Sequence, residues 1–297
     1  MNCDYWVLDY ELEKAKVQFL QVPKMLKCFE YWFGPYPFYS DGYKLVQAPY
    51  LGMEHQSGIA YGNKFENGYL GRDLSESNWG LKWDFILIHE SGHEWFGNSI
   101  TANDIADAWI HESFTNYSET IFTDCEFGVQ AGNAYEVGLR KLIKNNSPII
   151  SQYGVNNNGN IDIYYKGSNM VHMVRQLVND DERFRQLLRG INRKFYHKTV
   201  NTLEIEEYIS SFTSIDFNLF FDQYLRKNNL PVLEYKIENN QLFYHWSECV
   251  KGFNMKLRLE NGQWIQPTED WRILDQSLNK IEDFKPDINF YIILRKL

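Results

Sequence analysis

His89-Glu90-Ser91-Gly92-His93, with Glu112 following after eighteen intervening residues, is the stretch that decides the fold and the chemistry. On a helix, two histidines four positions apart leave the same face one turn from each other. Both imidazoles can then grip a single ion. Catalytic zinc sites keep about three protein ligands and leave a further position for water. His89, His93 and Glu112 supply such a set. Two neutral imidazoles and one carboxylate leave the site net positive, which draws the pKa of a coordinated water from about 16 toward roughly 7. Glu90 stands beside the ligands without being one. It is the expected general base, taking a proton from that water and passing it to a leaving amine.

The flanks place both parts of the motif on helices. Trp83 to Phe96 reads as a helix, with Phe85, Ile86, Ile88 and Trp95 as apolar positions, Ser77 or Asn78 as its cap and Gly97-Asn98 as its end. Asp104 to Phe127 reads as a second helix that carries Glu112, with Ala106, Trp109, Ile110, Phe114 and Tyr117 on its buried sides. Asp107 and Glu119 are candidates to orient the metal-bound histidines, and solvated or structural roles remain open for both.

With these motifs in view the chain resembles the gluzincin metallo-aminopeptidases of the aminopeptidase N family. His89 to Asn98 reads as the family's zinc helix, and Trp109-Ile110-His111-Glu112-Ser113-Phe114 is similar to its Trp-Leu-Asn-Glu-Gly-Phe. Gly52-Met53-Glu54-His55-Gln56 looks like its Gly-x-Met-Glu-Asn segment, and Tyr164-Tyr165-Lys166-Gly167 fits Tyr-x-Lys-Gly. Two departures stand out: Leu51 replaces the segment's first glycine, unless Gly52 takes that place, and His55 replaces its asparagine. The resemblance implies a thermolysin-like fold of α+β class, a mainly helical catalytic domain with a small edge-strand sheet. It implies one Zn2+ per chain, held by His89, His93 and Glu112. It implies that Glu54 binds the free α-amino group of a peptide, with Gly52 and Met53 in the strand that lines the substrate cleft. Tyr164 would donate to the oxyanion, and Tyr165 would be packing. It also implies a large amino-terminal β domain ahead of the catalytic part, so this chain is expected to lack one.

Composition narrows the classes further. With 44% hydrophobic and 16% aromatic residues, the 297-residue chain has ample material for a folded core. A formal charge of −9 argues against nucleic acid and anionic membrane surfaces as partners. No apolar run is long enough to span a bilayer, and no signal peptide opens the chain. A periplasmic or secreted setting is slightly favoured over a cytoplasmic one. Cys3, Cys28, Cys125 and Cys249 are scattered without a Cys-x-x-Cys pair, so buried free thiols are expected. The sequence assigns no oligomeric state.

Along the chain, Leu12 to Phe33 reads as one helix with Val17, Leu20, Met25, Phe29 and Trp32 as its apolar positions, ended by Gly34-Pro35-Tyr36-Pro37. Tyr43 to Ala48 reads as a strand leading toward Glu54, and Leu51 to Gly80 as turns and edge strands. Further helices are expected at Val129 to Lys144, Gly167 to Val178, Asp181 to His197, Leu203 to Phe212 and Asp216 to Lys227. After Pro231 the pattern turns to strands, at Leu233 to Ile237, Leu242 to Trp246, Phe253 to Leu259 and Ile288 to Leu294. Asn239-Asn240 and Asn261-Gly262 are hairpin signals between them. The expected organisation is a peptidase domain over 1–230 and a small β-sandwich over 231–297. The expected activity is hydrolysis of amino-terminal peptide bonds. The alternatives are a non-catalytic peptide-binding fragment, or a broader metallopeptidase or epoxide hydrolase on the same scaffold.

Overall fold

The structure, a computed structural model, describes residues 1–274 and 284–297. Helices dominate its first two thirds and strands its last. The amino-terminal sheet has the order β1-β2-β4-β3, built from β1 (Cys3–Trp6), β2 (Tyr43–Gln47), β3 (Gly52–Met53) and β4 (Ile59–Tyr61). The first three pairings along the chain of strands are mixed: β1 and β4 run parallel to β2, while β3 runs antiparallel to β4 and forms the sheet's edge.

The expected long helix over Leu12 to Phe33 is split into α1 (Leu12–Gln18) and α2 (Val22–Phe33) by a 3-10 turn, with Pro23 in the first turn of α2. Proline lacks the N–H that would continue an α-helical ladder, so it suits a helix start. Val17 and Leu20 are each 69% exposed, whereas Met25 and Phe29 are buried.

The zinc-motif helix α3 is shorter than its sequence suggests, spanning Phe85–Gly92. Asp84 caps it, in place of Ser77 or Asn78, by accepting the Leu87 N–H at 3.1 Å. Asp84 is fully buried and also accepts from Tyr61, Gln18 and Asn63, and burial still pushes its carboxyl up to about 6. Beyond Gly92 the backbone tightens to three-residue turns, with Glu94 N–H on Ser91 O and Trp95 N–H on Gly92 O. His93 is therefore the helix's C-cap. Next come β5 (Ile100–Ala102) and a 3-10 turn at Ile105–Asp107, and α4 begins only at Trp109, running Trp109–Phe127.

Helix α4 is the centre of the molecule. Every residue from Ser113 to Thr123 is buried, although many are polar. Their short hydroxyls bond backbone within or beside the helix, as Ser118 Oγ does to Thr115 O and Ser113 Oγ to Ile163 O. Small side chains let the neighbouring helices come close. A Cβ on Gly92 of α3 would lie 2.5 Å from Ser118 Oγ. One on Gly167 of α6 (Tyr165–Val178) would lie 1.8 Å from Ser113 Oγ. Around this centre sit α5 (Val129–Leu139), α7 (Asp181–Lys194), β6 (Lys198–Val200, parallel to β5), α8 (Thr202–Thr213) and α9 (Asn218–Arg226).

After Pro231 the strands pair among themselves. The sheet β11-β8-β7-β12 joins β7 (Val232–Glu238), β8 (Gln241–Ser247), β11 (Arg272–Ile273) and β12 (Ile293–Lys296), and β9 (Leu257–Arg258) pairs with β10 (Trp264–Ile265). The Asn239-Asn240 turn closes the β7–β8 hairpin with both residues at positive φ. The strands expected at Phe253 to Leu259 and Ile288 to Leu294 shrink or shift to Leu257–Arg258 and Ile293–Lys296. Residues 275–283 of the expected 231–297 unit lie outside the described residues.

The expectation of four free thiols is overturned for one pair. Cys28 on α2 and Cys125 on α4 form a disulfide, their Cα atoms 6.1 Å apart across 97 positions of sequence. Only the side-by-side packing of two distant helices creates this proximity, so no local spacing could signal it. Cys3 and Cys249 are free, but neither is buried as expected: Cys3 is exposed and Cys249 only partly covered. Denatured without reductant, the chain should therefore titrate two thiols, rising to four after reduction. The Cys28→Ser, Cys125→Ser double variant should lose roughly 2–5 kcal/mol of stability in denaturant unfolding.

Candidate active site

Helix α3 delivers His89 and His93, and the first turn of α4 delivers Glu112. The two imidazole rings are 5.0 Å apart and nearly perpendicular. Glu112 Oε2 lies 3.4 Å from His93 Nε2 and 3.7 Å from His89 Nε2. Ligand atoms bonded at about 2.1 Å to a tetrahedral ion sit roughly 3.4 Å from one another. Glu112 Oε2 is buried and has no hydrogen-bond partner. An unpartnered buried carboxylate oxygen facing two ring nitrogens fits a divalent cation, and this nitrogen and oxygen donor set suits zinc.

Both histidines present Nε2 because Nδ1 is engaged elsewhere. His89 Nδ1 lies 2.7 Å from Glu119 Oε1, and Glu119 Oε2 accepts the Tyr135 hydroxyl at 2.5 Å. His93 Nδ1 donates to Phe96 O at 2.9 Å, with Thr115 Oγ1 at 3.2 Å. These contacts fix ring orientation and tautomer. Glu119, two turns beyond Glu112 on α4, is thus the carboxylate against His89. Asp107 is not. It is fully buried, but it receives Tyr153 and Thr202 and anchors the approach to α4.

The charges agree with the geometry. Burial alone would raise the Glu112 carboxyl, but His93 and His89 outweigh it and hold that group well below the usual carboxylate range. Glu90 is raised, because burial outweighs the pull of the two histidines. A carboxylate lifted in this way is a better proton acceptor at neutral pH. Burial, followed by the Glu112 carboxylate, pushes Tyr164 far up, which keeps its hydroxyl protonated. The Tyr164 ring lies 6.1 Å from that of His89. Tyr165, at the start of α6, is 6.2 Å from Tyr164 between ring centroids.

The edge strand lies against the helix of the two histidines. Gly52 on β3 is pressed against α3: a Cβ there would lie 2.7 Å from both Glu90 Oε1 and Ile86 Cγ2. Met53 is half exposed beside it. Glu54, at the strand's end, joins Glu90 and His93 in a group whose donor atoms all lie within 4.8 Å of one another. The structure thus brings Gly52, Glu54, Glu90, His93, His89, Glu112 and Tyr164 into one neighbourhood, with Asp107 outside it. Two others were not singled out from the sequence. Asp84 fixes the start of α3, and Glu94, fully buried after His93, accepts the Ser57 N–H. Asp84 could have been read as a cap directly before an apolar run. Glu94 offered no local signal, because its partner lies 37 residues away. His111, next to Glu112, accepts the Ala102 N–H through Nε2 at 2.7 Å and so braces β5.

Residues 18–224 match the model of the peptidase family M1 domain. Among curated proteins, the chain is 27% identical over 219 residues to an aminopeptidase N of Lactobacillus helveticus, covering 66% of this chain and 25% of that protein. It is 28% identical over 171 residues to the human aminopeptidase RNPEPL1, covering 50% of this chain and 23% of that protein. The chain thus spans about a quarter of the length of these relatives. Among solved structures, yeast LTA4 hydrolase aligns with a TM-score of 0.61 at 19% identity, covering 75% of this chain and 37% of that one. An M1 zinc metallopeptidase from Deinococcus radiodurans aligns at 0.56 and 22% identity, covering 71% and 45%. At such identities these two establish a shared fold. No helix among the described residues is long and apolar enough to cross a membrane.

The contact between Glu119 and His89 yields a measurable expectation. Glu119→Gln should weaken zinc binding by about 10–100-fold in chelator competition, while Asp107→Asn leaves it unchanged. Equal affinity in wild type and Glu119→Gln would remove Glu119 from this role.

Proposed function

The chain belongs to peptidase family M1, and from that premise we propose that it is a zinc aminopeptidase, hydrolysing the amino-terminal bond of peptides. One observation carries the substrate end of this reading: Glu54 stands within 4.8 Å of Glu90 and His93. A carboxylate so close to the base has room to pair with an ammonium group through charge-assisted hydrogen bonds. Only a free chain end offers that cation one residue from a peptide carbonyl. Glu54 therefore acts as a ruler, setting which bond faces Glu90.

His89, His93 and Glu112 would hold the zinc. When bound, zinc supplies a Lewis acid that polarises the carbonyl and makes water a stronger acid. The rest of the chemistry belongs to side chains of this protein. Glu90 accepts a proton at its carboxylate as water adds, then delivers it to the departing amine. The Tyr164 hydroxyl donates to the carbonyl oxygen as negative charge grows there. Gly52 lets β3 approach closely enough to confine Glu90 from one side. The free edge of β3 offers backbone groups to an extended peptide, which would add to the sheet as a further strand.

This reading assigns catalysis to residues 1–230 and treats 231–297 as a small appended β-sandwich. The pairing of strands after Pro231 only with one another, among the described residues, supports that division. The Cys28–Cys125 disulfide supports a periplasmic or secreted setting.

Aminoacyl-p-nitroanilides should be cleaved and their acetylated forms spared, with chelator abolishing turnover. Stoichiometric zinc with peptide binding but no turnover of either form would replace this reading with a peptide-binding role. Glu54→Ala should reduce kcat/KM for free-amino substrates far more than for blocked ones; equal losses would take the ruler role away from Glu54. Tyr164→Phe should lower kcat by ~10²–10³ with zinc retained, and Tyr165→Phe should leave both kcat and zinc content unchanged. The reverse ranking of the two tyrosines would reassign the oxyanion donor.

A further inference from the structure

The hairpin that presents Glu54 is fastened by two side chains the reaction above does not use. Strands β3 and β4 pair antiparallel, so residues 54–58 form the tip between them. The tip turns through Ser57, at a φ of 52°, and is closed by the Gly58 N–H on His55 O at 2.9 Å. Glu94 and Asn98, both from the segment that leaves α3, hold this tip at its two ends. Glu94 Oε1 accepts the Ser57 N–H at 2.9 Å. Asn98 Nδ2 donates to Glu54 O at 2.8 Å, while the Asn98 N–H is itself fixed on His93 O at 2.9 Å.

Glu94 is fully buried, and besides the Ser57 N–H its carboxylate faces the Tyr36 hydroxyl and the Asn98 side chain. Burying a carboxylate costs stability. A residue of that kind needs a reason beyond packing, and the Ser57 contact supplies it. Both fastenings fall on backbone atoms. The Glu54 carboxylate is left toward Glu90 and His93, while its own carbonyl is held by Asn98 and the Ser57 N–H by Glu94, the residue after His93.

We propose that Glu94 and Asn98 are positioning residues, which clasp the 54–58 tip so that Glu54 meets the substrate's amino group at a set distance from the reacting carbonyl. The proposal rests on the aminopeptidase reading. It makes amine recognition depend on the register between the edge strand and the exit of α3, rather than on Glu54 alone.

The test uses Glu94→Ala, Glu94→Gln and Asn98→Ala in the full chain. Hydrogen exchange of the Ser57 amide is measured without metal; zinc content and kcat/KM on free and acetylated aminoacyl-p-nitroanilides are measured with it. In Glu94→Ala the Ser57 amide should exchange at least about tenfold faster, and KM for the free-amino substrate should rise about tenfold at near-constant kcat and zinc content. Glu94→Gln keeps an acceptor oxygen and should restore both. Asn98→Ala should raise the same KM with Glu94 intact. A wild type that prefers free amines, with Glu94→Ala and Asn98→Ala preserving that preference, would overturn the clasp alone. A wild type that does not discriminate free from blocked substrates would overturn the aminopeptidase reading and the proposal with it.

Discussion

Two carboxylates on one buried helix face two imidazoles on another, and the rest of the molecule serves that meeting. Helix α4 carries Glu112 and Glu119 two turns apart, so both project toward α3. Glu112 addresses the two Nε2 atoms, and Glu119 takes Nδ1 of His89 from behind. The approach is possible because the crossing points are made of small residues. Gly92 meets Ser118, and Gly167 meets Ser113 on the opposite side of α4. A larger residue at the Gly92–Ser118 crossing would press α3 away from α4 and part the histidines from the carboxylates, and one at Gly167 would press α6 away from α4. The polar character of α4 thus follows from its position. Serine and threonine are short enough to permit close crossings and bond their own backbone when water is excluded.

The second constraint is the seat of the edge strand on α3. Strand β3 is only Gly52–Met53. Its first residue lacks a side chain where Glu90 and Ile86 would otherwise be struck. Its end carries Glu54 into the same small volume as Glu90 and His93. Three acidic groups, Glu54, Glu90 and Glu112, are thereby crowded around two buried histidines. Such crowding is unfavourable without cations, and it suits a site that holds a metal ion. Fixed positions for these charges reduce the reorganisation left for the reaction itself.

The motif residues were legible because their spacing is local. Four positions from His89 to His93 and the helical run around Glu112 are short-range patterns, and a helix converts them directly into directions. The β7–β8 hairpin was legible for the same reason, since two asparagines at positive φ dictate its turn. Helix ends were less so. The early stop of α3 at Gly92 and the late start of α4 at Trp109 depend on turns that compete closely with α-helix. The break at Pro23 lay in view, but the apolar rhythm of Val17 and Leu20 ran through it, and those two side chains face outward.

What the chain order pointed to is the proposed metal ligands His89, His93 and Glu112, the proposed base Glu90 and the carboxylate proposed to face the amine, Glu54, since each belongs to a pattern a few residues long. What packing settled is which partner stands behind each of them: Glu119 rather than Asp107 at His89, Glu94 under the Ser57 backbone, and Cys28 joined to Cys125. These pairs are 30, 37 and 97 positions apart. Contacts at such separations arise only when whole helices and strands settle against one another, because burial rewards the sum of many apolar contacts and leaves no mark in the spacing of any two residues.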